Sequence, residues 1–190
     1  MKIGTSDVLQ LGEPTLRQPC RPIANIDKPA FRKQEKALHA ALVDFRKTFG
    51  FGRSIAAPQL GIDLRFLAMN LGQGPLTMVN PVIAWRSPET FTMFDDCMSF
   101  PSLFVRLTRN ASITVDFRDG DGRAQTWKHL DRPTSELLQH EIDHLDGVLA
   151  VDRATTIRDI ITRESFDRNR AAMSKLVDYT IPPLSNRAQT

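Results

Sequence analysis

Residues 139–147 read Gln-His-Glu-Ile-Asp-His-Leu-Asp-Gly (QHEIDHLDG). On a helix, positions four apart lie about 40° apart around the axis and roughly 6 Å apart along it. His140 and His144 can therefore turn both imidazoles toward one ion. Glu141 follows the first of them directly, so it can reach a water on that ion without ligating the ion itself. Leu138, Ile142 and Leu145 mark a second side of the same helix. An apolar stripe of that kind belongs to a helix packed in a core, where charged groups must find compensation. The spacing predicts a helix that starts after Pro133 with Thr134 as N-cap and stops with Gly147 in the C′ position.

Working outward, Leu38, Leu42, Phe45 and Phe49 recur at helical steps within residues 27–49. This predicts an amphipathic helix with Asp27 as N-cap and Pro29 in its first turn. FGRSIAAPQLG (51–61) reads as a loop or short extended segment. Between residues 65 and 130 the period drops to two: RFLAMN, TMVNPVIAW, LFVRL and SITVDF read as strands. The RDGDGR turn joins the last of these to AQTWKHL as a hairpin. A further helix is expected over residues 155–177. The order of helix, strands, helices gives an α+β class. The expectation is one domain over residues 1–178 and a loose tail over 179–190, where two prolines accompany little apolar content.

Composition narrows the possible functions. The net charge of +3 comes from basic and acidic residues interleaved along the chain, so neither a nucleic-acid site nor ribosome docking follows from charge. No segment approaches the roughly 20 apolar residues of a membrane span, and the N-terminus has no run of signal-peptide length; a cytoplasmic location is expected. In such a chain Cys20 and Cys97 are read as one buried thiol and one ligand or nucleophile, rather than as a disulfide. His39 is expected to be solvated and His129 to lie on the surface or a rim. Asp143 and Arg106 are expected to pair, either behind the metal histidines or as a surface ion pair.

Two imidazoles leave a catalytic metal site one protein ligand short. In the extended HExxHxxGxxH signature the third position falls on Ala150, which cannot coordinate. Glu164, twenty residues after His144, would give a His₂Glu metallopeptidase. Cys97, within the irregular stretch DDCMSFP, is the other candidate.

SIAAPQLG (54–61), DDCMSFP (95–101) and QHEIDHLDG (139–147), in that order, resemble the three signature motifs of the peptide deformylases. The likeness continues through LGEPTLRQPCRPI (11–23), MVNPVI (78–83) and GVLAVDR (147–153). It implies antiparallel strands around a central HExxH-bearing helix. It implies Cys97, His140 and His144 as ligands of one divalent metal ion, ferrous iron with Ni²⁺, Co²⁺ or Zn²⁺ as substitutes. It further implies Glu141 as catalytic acid and base, with Gln59 and the Met98 N–H holding the oxyanion, and an N-formylated peptide as substrate. The family motifs usually read Gly-x-Gly-x and Glu-Gly-Cys-Leu-Ser, where this chain has Gly52, Arg53, Ser54, Ile55 and Asp95, Asp96, Cys97, Met98, Ser99. These are the expected groove residues. Ser54 and Asp96, replacing glycines, would narrow or recharge the groove and shift substrate choice while leaving hydrolysis intact. A deformylase for another N-formyl amine, a Glu164 metallopeptidase and a non-catalytic metal-binding relative remain open alternatives.

Overall fold

In the computed structural model, which describes residues 7–181, two antiparallel sheets flank one buried helix. The first sheet holds β1 (Ser54–Ala56), β2 (Phe66–Met69), β3 (Leu76–Arg86), β6 (Ile113–Arg118) and β7 (Ala124–Trp127), in that spatial order. The second holds β4 (Thr90–Asp95), β5 (Leu103–Asn110) and β8 (Ile160–Thr162). The α+β class is as expected. Among the described residues no helix is long and apolar enough to cross a membrane.

The motif-bearing helix is α2 (Arg132–Leu145), and every residue from Ser135 to Leu145 is buried. Leu137, Leu138, Ile142 and Leu145 share a core with Ala56, Leu67, Met78 and Val115 of the first sheet. The other side of α2 carries Gln139, His140, Asp143 and His144 against groups from the second sheet. Gln139 accepts from the Asn110 N–H and donates to the Asn110 carbonyl, closing the end of β5. The N-cap is Asp131, not Thr134: the Asp131 carboxylate accepts from the Thr134 N–H. Pro133 lacks an N–H and suits the first turn, which moves the cap ahead of it. Gly147 does take the left-handed position, at φ 76°. A Cβ there would lie 2.7 Å from the Arg17 carbonyl oxygen, so both backbone conformation and close approach require glycine.

Helix α1 (Pro29–Phe49) covers β1 and β2 with Phe31, Leu38, Leu42 and Phe45. Its N-cap is Lys28 without a side-chain cap bond, so Asp27 lies one residue outside the predicted role. In β3 the ladder breaks at Asn80 and Pro81, because proline cannot donate to the neighbouring strand. The Asn80 side chain instead exchanges two 2.8 Å hydrogen bonds with the Ile23 backbone. The predicted β6–β7 hairpin is present, closed by Gly122 N–H donating to the Asp119 carbonyl.

The single helix expected over residues 155–177 does not form. A 3₁₀ turn (Ile157–Asp159) leads into β8, then α3 (Arg163–Arg168) and α4 (Arg170–Met173). Pairing β8 with β5 satisfies backbone groups at a sheet edge, which outweighs local helical periodicity. Phe166 then packs on Phe94 and Phe104. Tyr179, in the segment expected to be loose, bridges Met93, and Thr92 and Asp178 exchange hydrogen bonds. Residues 182–190 of that tail lie outside the described residues.

Candidate active site

Cys97 follows β4 and its sulfur reaches α2, where it lies 3.2 Å from His144 Nε2. One ligand atom each from Cys97, His140 and His144 fall within 4.8 Å of one another, and all three residues are buried. The His140 Nδ1–H donates to Asp95 Oδ2 at 3.0 Å. That hydrogen bond selects the tautomer that leaves Nε2 with a free lone pair for the cluster. Burial opposes charge on His140, but the Asp95 carboxylate outweighs it and raises the proton affinity well above the ordinary value. His144 is pushed well below by burial and by His140 beside it. Its Nδ1 has no partner among the described residues.

The orienting arginine is Arg109, not Arg106. Its guanidinium spans Asp95, at 3.1 Å, and Asp143, and Asp143 also pairs with Arg153. Alternation explains the difference: Val105, Leu107 and Arg109 point inward from β5, while Arg106 points outward and pairs with Asp159. An arginine at an inward position of a strand was the available signal. Burial raises Asp95 but the His140 and Arg109 charges prevail, so it stays well below the usual carboxylate range.

Glu141 is buried, and burial pushes its pKa up against the pull of His140 and Ser54. The Ser54 hydroxyl donates to Glu141 Oε1 at 2.7 Å, whereas Oε2 is buried without a partner. Gln59 accepts from the Ala56 N–H through Oε1. This fixes the amide so that Nε2 faces Ser99 Oγ at 3.2 Å and Cys97 Sγ at 3.7 Å. These groups open on a cavity of about 570 Å³ that Gly52, Arg53, Ser54, Asp95, Asp96 and Met98 also line. Ile55, expected in the groove, is fully buried in the core with Leu42 and Phe45. In β1 it points opposite to Ser54. Asp96 accepts from Arg163 at 2.8 Å.

Several expectations fall elsewhere. Glu164 is on the surface, 80% exposed and paired with Arg168, far from the role of third ligand. His39 is half-buried rather than solvated, with Nε2 2.9 Å from Thr77 Oγ1. His129 is exposed, as expected, and stands edge-on to Trp85; Cys20 is the expected buried thiol, outside any disulfide. Glu136, Phe166 and Tyr179 line the cavity without having been singled out in the sequence; only Glu136, one turn before His140, carried a spacing signal.

Three donors converge on one point, including a sulfur and an imidazole whose other nitrogen is already oriented, and an unsatisfied carboxylate oxygen lies in the same pocket wall. The donor set fits a divalent cation, and the class it defines is that of the metal-dependent amidohydrolases. A family model described as polypeptide deformylase matches residues 5–159. The peptide deformylase of Thermotoga maritima is 33% identical over 153 residues, covering 80% of this chain and 89% of the relative. Its crystal structure superposes with a TM-score of 0.69 at 32% identity, covering 78% of this chain and 97% of that one. The peptide deformylase of Synechococcus elongatus in complex with actinonin gives 0.74 at 29% identity, covering 85% and 84%. The chain belongs to the polypeptide deformylase family, and its activity is peptide deformylation.

Proposed function

We propose that the chain removes the formyl group from N-formylmethionyl peptides of nascent proteins in the cytoplasm, with Cys97, His140 and His144 holding ferrous iron. Sulfur in the donor set suits iron and zinc alike; the family likeness favours iron. When bound, such an ion supplies Lewis acidity and lowers the pKa of water toward neutrality. Glu141 takes the proton from the attacking water through Oε2 and returns it to the leaving amine. The carbon–nitrogen bond breaks as the carbon–oxygen bond forms, giving formate and a free amine. Gln59 Nε2 and the Met98 N–H hold the charge that builds on the carbonyl oxygen. Buried Glu141 Oε2, without a partner and in the same cavity wall as His140, carries the assignment.

The test is anaerobic formate release from formyl-Met-Ala-Ser by ferrous- or nickel-loaded protein. Cys97→Ser is expected to lose cation and turnover together, while Glu164→Gln keeps both. The reverse result would restore the His₂Glu reading.

Ser54 and Asp96 give a smaller expected effect. Ser54→Gly removes a hydrogen bond to the proposed base, and Asp96→Gly releases Arg163. A single hydrogen bond contributes roughly 0.5–1.5 kcal/mol, so the double substitution should change kcat/KM for formyl-Met-Ala-Ser by about 3- to 10-fold. Equal kcat/KM in the two proteins would show that these side chains do not set substrate choice.

A further inference from the structure

One end of the cavity is polar in a way the chemistry above does not use. Glu136 stands one turn before His140 on α2, and its side chain is 1% exposed. Arg53 donates to Glu136 Oε1 at 2.5 Å and to the Pro133 carbonyl at 3.1 Å. A carboxylate offers about four acceptor sites, and Arg53 meets it at one oxygen. Burial pushes Glu136 up to about 7 against the pull of Arg53, the cost of holding this carboxylate away from water. Tyr179 lines the same cavity, and its buried hydroxyl has no partner among the described residues. Burial and the negative charge of Glu136 push that phenol up to about 12. Three hydrogen-bonding side chains thus line one cavity from the residue before β1, from α2 and from the C-terminal segment, beside Leu137, with Tyr179 near enough to feel the charges of Glu136 and Arg53.

With the formyl carbon at the three-ligand cluster and the scissile nitrogen beside Glu141, the first side chain of a peptide begins two bonds away. One helical turn along α2, about 5.4 Å, brings it to Glu136 and Arg53. A thioether there would cover a buried ion pair and give it no hydrogen bond in return. A charged side chain would enter a pair that is already neutral in sum. A carboxamide offers a donor to Glu136 and an acceptor to Arg53 or Tyr179. We infer that this recess favours N-formyl peptides whose first side chain carries a neutral hydrogen-bonding group, with glutamine, equal in length to methionine, as the type case. The inference rests on the deformylase reading and ranks substrates within it; methionyl peptides remain substrates, turned over less efficiently.

Formate release would be compared for formyl-Gln-Ala-Ser, formyl-Met-Ala-Ser and formyl-norleucyl-Ala-Ser, using the metal-loaded protein. The expected result is a kcat/KM for the glutaminyl peptide at least about tenfold above the norleucyl peptide and above the methionyl one. Sites built to hydrogen-bond a substrate group discriminate strongly against analogues that lack it. Arg53→Ile with Glu136→Leu should invert the order. Glu136→Gln, equal in shape, should lower the Gln-to-norleucine ratio threefold or more if the double variant does not fold. A wild-type ratio below ten, or one that survives these substitutions, overturns the inference while leaving deformylation standing. No formate from any of the three peptides, with metal bound, overturns the deformylase reading instead.

Discussion

Glu141→Gln is expected to keep its cation and to release formate at least about 10²-fold more slowly, within the 10²–10⁴-fold span of a positioned acid and base. The amide has the shape of the carboxylate and can still accept the Ser54 hydrogen bond. It cannot take a proton from water at the oxygen that has no partner in the protein. The carboxylate is not among the three clustered ligands, so metal content should match the wild type. Formate release and metal content measured on the same preparation make the test. A variant with full metal and more than a tenth of wild-type turnover would mean that another group moves the proton.

Arg109→Met has the largest expected cost in stability. The guanidinium is almost fully buried and spans Asp95 and Asp143. Burial alone would lower its proton affinity, yet the two carboxylates raise it above the ordinary value. Methionine fills much of the volume but leaves two carboxylates inside the protein without their shared cation. Breaking one partner out of a buried ion cluster costs about 3–5 kcal/mol, readable as a lowered midpoint in urea unfolding. Since Asp95 orients His140, metal affinity should also fall by about 10- to 100-fold. Adding Asp143→Asn should recover part of the stability, because it removes a largely buried charge that would keep only Arg153 as its cation. Wild-type stability in Arg109→Met would show that His140 and Arg153 suffice to compensate Asp95 and Asp143.

Most of the candidate metal centre is legible from local spacing because two of its three ligands lie on one helix. His140, Glu141 and His144 share a face through the 3.6-residue period, and the apolar stripe beside them showed that the helix is buried. Cys97 needed more: nothing local says that a residue after β4 meets α2, and the Cys97 assignment came from the order of the three motifs. The C-terminal helix fails to form for the same reason. The strand pairing that makes β8 is with residues 55 to 59 positions earlier, whereas the cap is a local matter, in which Asp131 and Thr134 compete and Pro133 in the first turn favours Asp131.

From the chain alone follow the α+β class, the helix that carries two ligands and a carboxylate, the hairpin at residues 113–127 and the expectation of a sulfur-bearing metal site. These depend on side-chain period and on residues close in sequence, where backbone geometry alone sets which groups are neighbours. Only the tertiary structure decided that Arg109 rather than Arg106 stands behind the ligands, that Ser54 holds Glu141, that Ile55 leaves the groove, and that Arg53, Glu136 and Tyr179 make one end of the cavity polar. Each of those facts depends on which face of a strand or helix meets which distant partner. That choice is made when the two sheets close on α2, and no local preference encodes it.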